Sequence, residues 1–329
     1  MRFTGVSAFP FTPFLAAGAG SRAGAAAGTG AEAGMRIEPG TSTEPDCTID
    51  EAGYARVVAH AAKSGVESLC ALGSTGGAPY LSPGERTRVI ELTLEHACGL
   101  PVAVGVSALS TREVLENVAE AQRLGAAAVL LAPMTYQPLT AEEVFGLYAT
   151  VSAELSVPLI VYDNPTTTGF TFTSSLHGRI ATLPGVASIK IPPVPEPEAS
   201  TRLAEYRAQM PPGVTLGISG DASAAGALLA GCEAWYSVLA GALPVECLAI
   251  HAAASAGDAT LARALSGQLT PLWRLFAEHG SYRVIAAVLA ELGLISHDSL
   301  PHPVRSLDER GARAVAAALA QIAAASGSA

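Results

Sequence analysis

The sequence predicts a (β/α)8 barrel with additional C-terminal helices, and three observations carry that expectation. Eight short runs are apolar on both faces, as strands are when a parallel sheet is covered on either side. Each is followed by a segment with helix-start chemistry or helically spaced apolar residues, the alternation that builds parallel α/β folds. The competing arrangement, an open doubly wound sheet, would carry a G-x-G-x-x-G turn after the first strand, and none is present. A chain of 329 residues accommodates one barrel of about 250 residues with additions.

The elements follow in order. Residues 5–10 form a first strand, closed by Phe11-Thr12-Pro13-Phe14. Residues 16–46 are dominated by Gly, Ala, Ser and Thr with almost no large apolar residue, too poor in apolar surface to offset ordering entropy, and read as a long mobile insertion. Asp50 then caps a helix carrying Tyr54, Val57 and Val58, which ends at Lys63-Ser64-Gly65. Strands are expected at 66–72, 101–106, 126–131, 157–162, 186–191, 214–219 and 234–238. The first helices between them open with capping-box spacing at Ser82 to Glu85, Ser110 to Glu113 and Thr140 to Glu143. Later ones are expected at 173–181, 197–209, 222–230 and 244–256. Three more follow the eighth strand, at 259–278, 283–292 and 307–324. The barrel is thus assigned to 1–256 and a helical extension to 257–329.

Composition excludes several function classes. Net charge is −10 and no basic cluster exists to neutralise a phosphate backbone, which argues against nucleic acid. Five scattered cysteines, none in a C-x-x-C pair, argue for reduced thiols in a cytoplasm rather than a disulfide framework or zinc knuckle. No apolar run reaches the roughly 18 residues of a membrane span. The apolar run after Val6 is broken by Pro10 and Pro13 and preceded only by Arg2, a poor signal peptide. The seven histidines show no metal-ligand spacing, so no metal site is expected.

The chemistry is read from the strand at 186–191, stopped by Pro192 and Pro193. Lys190 lies inside its apolar run. The chain has two lysines, Lys63 and Lys190, against seventeen arginines. Arginine serves wherever charge alone is needed, so a strand lysine points to a primary amine, the nucleophile of Schiff-base chemistry. The plainer alternative is a lysine snorkelling to water from a strand end. Barrel chemistry sits at the carboxyl ends of the strands, which gathers further candidates at one mouth. Tyr162 ends the fifth strand, as a proton relay or a core tyrosine. Gly73-Ser74-Thr75-Gly76-Gly77 follows the second, as an anion-binding nest or an ordinary turn. Ser219-Gly220-Asp221 follows the seventh, where Asp221 reads best as a helix N-cap.

Taken together these stretches resemble the dihydrodipicolinate synthase and N-acetylneuraminate lyase family of class I, pyruvate-dependent aldolases. The opening Ala8 to Phe14 is similar to that family's first strand with its T-P-F. Gly73 to Gly77 resembles its G-T-T-G-E carboxylate turn, with Gly77 in place of the glutamate. Tyr162-Asp163-Asn164-Pro165-Thr166-Thr167-Thr168-Gly169 resembles Y-N-x-P-x-x-T-G, Ile189-Lys190 the I-K of the Schiff-base strand, and Ser219 to Asp221 its S-G-D. The resemblance implies a lyase or aldolase in which Lys190 attacks the keto carbon of pyruvate or a longer 2-oxo acid. Gly73, Ser74, Thr75 and Gly76 hold its carboxylate, and Tyr162 with Ser74 moves protons. The partner is an aldehyde. No metal or organic cofactor is implied, because the protonated imine is the electron sink, and a homotetramer is.

Two departures bear on that partner. Thr167 stands where synthases of the family place an arginine for the aldehyde's carboxylate. Thr135, with Tyr136 next to it, stands where they place a tyrosine that reaches a neighbouring subunit's site. Both point away from synthase activity, and Thr167 points away from aspartate semialdehyde toward uncharged or sugar-acid-derived aldehydes. Dihydrodipicolinate synthase proper, of lysine biosynthesis, a dehydratase using the same imine, and a non-catalytic 2-oxo-acid-binding relative remain as rivals.

Overall fold

A computed structural model describes residues 2–15 and 48–326 of the chain. The insertion read at 16–46 lies outside them. The described residues on either side of it are joined: Phe14 and Ile49 form an antiparallel bridge, and the Leu15 N–H donates to the Thr48 carbonyl at 2.7 Å.

Eight parallel strands close in sequence order into a barrel: β1 Gly5–Ala8, β2 Ser68–Ala71, β3 Val102–Gly105, β4 Ala128–Leu131, β5 Leu159–Tyr162, β6 Val186–Ile191, β7 Thr215–Ile218 and β8 Ala234–Ser237. The helices are α1 Glu51–Ala62, α2 Pro83–His96, α3 Thr111–Leu124, α4 Ala141–Ala153, α5 Pro165–Thr168, α6 Ser174–Ala181, α7 Glu196–Gln209, α8 Ala224–Leu229, α9 Pro244–Ser255, α10 Ala259–Gln268, α11 Thr270–His279, α12 Ser281–Glu291 and α13 Glu309–Ser326. The capping signals act as their spacing implies. Asp50 accepts from the Gly53 N–H, and α2 and α4 close full capping boxes. In α3, Ser110 accepts from the Glu113 N–H, but its hydroxyl also donates to the Glu113 carboxylate.

Side-chain alternation along the strands divides the core in two. Outward residues such as Val129, Val161, Ile189 and Ile191 pack against the helices. The inward set is smaller and partly aromatic: Phe9, Cys70, Ala103, Ala128, Ile160, Tyr162 and Tyr236. Ser188 and Lys190 share the inward face of β6, two residues apart, and Ser188 accepts the Tyr236 hydroxyl at 2.6 Å.

Two expectations need correction, and one element was not anticipated. The helix read over 259–278 is two, α10 and α11, because Pro271 lacks an N–H and enters only at a helix start. The residues after β5 form the short helix α5, which apolar spacing could not reveal. Asp221 is not an N-cap: the N-cap of α8 is Ser223, and Asp221 begins a 3-10 turn, Asp221–Ser223. Its buried carboxylate instead accepts from Trp235 Nε1 at 2.9 Å, Ser237 Oγ at 2.7 Å and the Leu239 N–H at 3.1 Å. It thereby ties β7 to the end of β8. No helix among the described residues is long and apolar enough to cross a membrane.

Candidate active site

Lys190 and Tyr162 are register partners on adjacent strands, with the Asp163 N–H donating to the Lys190 carbonyl at 2.9 Å. Both side chains are more than nine-tenths shielded and line one cavity at the carboxyl ends of the strands, about 540 Å³ in volume. That is the size of an ordinary small-molecule site. Lys190 Nζ lies 3.8 Å from the Phe9 ring centroid and 4.0 Å from that of Tyr162. Tyr236 is 5.9 Å away. Aromatic faces stabilise a cation held among them. Among the described residues no carboxylate forms an ion pair with the amine. Across the ladder from Lys190 stands Gly217, where a Cβ would meet the Tyr236 ring at 2.2 Å. The glycine makes room for an aromatic wall beside the amine.

The turn after β2 brings Gly73, Ser74 and Thr75 to the cavity wall. Ser74 Oγ is 3.4 Å from the Tyr162 hydroxyl. The Gly76 N–H is used inside the turn, donating to the Gly73 carbonyl at 3.0 Å, and Gly76 does not reach the wall. The N–H groups of Ser74 and Thr75 have no acceptor among the described residues, so two donors remain for an anion. The turn is pitched by Leu72, a non-glycine residue at φ 57°. That conformation costs about 1–2 kcal/mol, which the surroundings must offset. Gly105 permits it: a Cβ there would lie 2.0 Å from the Leu72 carbonyl oxygen. Behind the same wall Arg86 donates to the carbonyls of Gly105 at 2.9 Å and Ala78 at 3.4 Å. Burial lowers the guanidinium's pKa from its ordinary value.

On the far side the wall comes from loops and C-terminal helices. Thr167 lines it and accepts from Asn164 Nδ2 at 2.9 Å. Phe276, Ser281 and Tyr282 of α11 and α12 line it too, and Tyr80 stacks on Tyr282 at 6.4 Å. Tyr136, 87% exposed, lies outside the wall, and Thr135 donates its hydroxyl to the Thr168 carbonyl. Among the described lining residues Lys190 is the only lysine or arginine.

Sequence reasoning missed several groups here. Phe9 and Tyr236 were legible in principle from inward alternation on β1 and β8. Asn164, which donates to the Tyr162 hydroxyl at 2.7 Å, occupies a freely variable place in the motif and gave no signal. Neither did the buried contact behind the tyrosine, where Asp163 Oδ2 lies 3.3 Å from His177 Nε2 and the imidazole stacks on Phe172. Among the described residues no group of three His, Cys, Asp or Glu is placed to hold a metal ion.

The model of the Dihydrodipicolinate synthetase family matches residues 33–322. The chain belongs to this family. A 4-hydroxy-tetrahydrodipicolinate synthase of Methylococcus capsulatus is 35% identical over 255 residues, 76% of this chain and 85% of that protein. The crystal structure of a dihydrodipicolinate synthase from Agrobacterium tumefaciens superposes with a TM-score of 0.85 at 36% identity and 98% coverage of both chains. A dihydrodipicolinate synthase from Acinetobacter baumannii, solved in complex with pyruvate, superposes with a TM-score of 0.81 at 25% identity, covering 98% of this chain and 99% of that one. Dihydrodipicolinate synthetase family proteins are class I lyases working through a lysine Schiff base, and this chain is an enzyme of that class.

Proposed function

We propose that the enzyme forms its Schiff base at Lys190 with pyruvate or a longer 2-oxo acid, and makes or breaks a C–C bond to an aldehyde. The observation that carries this is the pairing of Lys190 with Tyr162 on adjacent strand ends, with Ser74 within 3.4 Å of the tyrosine hydroxyl. The amine adds to the keto carbon and the carbinolamine loses water. The imine then draws electrons from C3, and loss of a C3 proton gives the enamine that attacks an aldehyde carbon. The Ser74 and Thr75 N–H groups and hydroxyls hold the carboxylate, with Gly73 in the wall beside them. Gly76 contributes by closing the turn. Tyr162 relays protons with Ser74.

Two readings of the second substrate are carried. The names of the relatives favour 4-hydroxy-tetrahydrodipicolinate synthase, the better supported named activity. The cavity wall supports an uncharged or hydroxylated aldehyde. Thr167 offers a hydroxyl and no charge, and no arginine joins the lining among the described residues. A carboxylate held by arginine makes a bidentate, charge-assisted pair that a threonine cannot replace. Measuring kcat/KM for pyruvate with aspartate semialdehyde and with glyceraldehyde separates the two. Preference for glyceraldehyde supports the second reading; efficient condensation of aspartate semialdehyde establishes the first.

The family resemblance also supports a homotetramer. Tyr136 fits a contribution to a neighbouring protomer better than to its own cavity, and mass in solution tests the assembly.

A further inference from the structure

Asn164 stands between two hydroxyls of the cavity wall, those of Tyr162 and Thr167. Its Nδ2 donates to Tyr162 Oη at 2.7 Å and to Thr167 Oγ1 at 2.9 Å. One amide group supplies both hydrogens. Each hydroxyl oxygen therefore accepts from Asn164, and its own proton points elsewhere. For Tyr162 the other neighbour is Ser74 Oγ, 3.4 Å away at the carboxylate turn. For Thr167 the open direction is the cavity it lines. The backbone holds Asn164 in place: its carbonyl accepts the Thr167 N–H at 3.1 Å, the Thr168 N–H at 3.0 Å and the Thr168 hydroxyl at 2.9 Å. Pro165, which follows it, opens α5.

We propose that Asn164 is a positioning residue that sets Tyr162 and Thr167 as hydrogen-bond donors toward the substrates. It completes within one chain a line of groups running Ser74, Tyr162, Asn164, Thr167. The proposal rests on the Schiff-base reading above. In that reaction the Tyr162 proton passes to the carbinolamine hydroxyl, which leaves as water while the nitrogen pair forms the C=N bond. The resulting phenolate is stabilised by the Asn164 N–H. It then takes the C3 proton, and the C–H electron pair forms the C2=C3 bond of the enamine as the C=N pair returns to nitrogen. Tyr162 is again protonated and no other reactant is consumed. Beside it, a threonine hydroxyl fixed as a donor suits the oxygen of an aldehyde or of a substrate hydroxyl.

The test separates imine from enamine. Wild type, Asn164→Asp and Asn164→Ala are equilibrated with pyruvate, trapped with borohydride and weighed. In parallel, exchange of the pyruvate methyl protons is followed by NMR in D2O. Asn164→Asp keeps the shape and removes the donor. Its carboxylate draws the Tyr162 proton toward itself and repels the phenolate, so exchange is expected to fall by about 10²-fold, within the range of a lost proton relay. Asn164→Ala only deletes the donor, and exchange is expected to fall about tenfold. The trapped adduct should stay within about twofold of wild type in both. Exchange within threefold of wild type in both variants overturns the proposal. So does a parallel loss of adduct and exchange in both, which marks a residue needed only for the shape of the site. Absence of adduct in the wild type overturns the Schiff-base reading itself; normal adduct with normal exchange in the variants overturns this proposal alone. If the Asp variant fails to fold, the Ala variant decides by the same two measurements.

Discussion

The two halves of the cavity are built differently. The inner half is made of strand ends. Lys190, Tyr162 and Tyr236 project from β6, β5 and β8, with Lys190 in register with Tyr162 and Gly217 on either side and Tyr236 with Ser7, and their side chains are almost wholly shielded. The outer half is made of loops and the helices α5, α11 and α12, with Thr167 exposed and Tyr80 44% exposed. The residues that resemble the family most closely lie in the inner half, and the arginine replaced by Thr167 belongs to the outer one. A rigid frame holds the chemistry common to many substrates, while loops, which tolerate change, select among them.

If that division is right, changes in the inner half should abolish reaction with every substrate, and changes in the outer half should only shift preference. The largest effect is expected of Lys190→Ala and Lys190→Arg. Adduct and turnover should vanish with every 2-oxo acid while circular dichroism stays native; undiminished turnover in the arginine variant would break the division at its centre. Tyr162→Phe comes next. It should still trap imine but lose about 10²–10⁴-fold in turnover, and a rate within twofold of wild type would make the tyrosine structural.

Gly105→Ala tests the frame behind the carboxylate turn. The added methyl meets the Leu72 carbonyl, and overpacking of this kind costs about 1–3 kcal/mol. A lowered Tm and a raised KM for the 2-oxo acid are expected, with the preference among aldehydes unmoved. Asp221→Asn places an amide where a carboxylate accepts three hydrogen bonds, and a cost of about 1–2 kcal/mol is expected. Burial raises the Asp221 pKa above its ordinary 3.8, against hydrogen bonds from Ser237, Leu239 and Trp235 that lower it. Between 3.8 and the raised value the folded state keeps a proton that the unfolded chain has lost. Stability from this group is therefore full below 3.8 and declines as pH rises through that window, a slope that chemical denaturation of Asp221→Asn should lack.

The smallest effect should come from the outer half. Thr167→Arg is expected to improve kcat/KM for a carboxylated aldehyde by about tenfold. Imine formation with pyruvate should be unchanged. Loss of imine in that variant would show that the halves are coupled.

Much of the inner half was legible in the sequence because its signals are local. A lone lysine in a strand closed by two prolines, a tyrosine at a strand end and a glycine-rich turn each announce themselves, and the barrel rule converts their order into proximity. Capping residues marked the helix starts for the same reason. What was not legible depends on contacts across the chain. Asp221 caps nothing because Trp235, Ser237 and Leu239, far along the sequence, take its carboxylate first. Phe276 and Tyr282 reach the mouth only because α11 and α12 fold back over it. The contact of Asp163 with His177 joins residues that no spacing rule relates.

Everything proposed for this site depends on Lys190 being the amine of the Schiff base. The chain carries only one other lysine, Lys63, on the C-terminal side of α1. The most direct measurement is borohydride reduction in the presence of pyruvate, followed by peptide mass spectrometry. One reduced adduct is expected, on the peptide containing Lys190. No adduct, or an adduct on Lys63 alone, would contradict it.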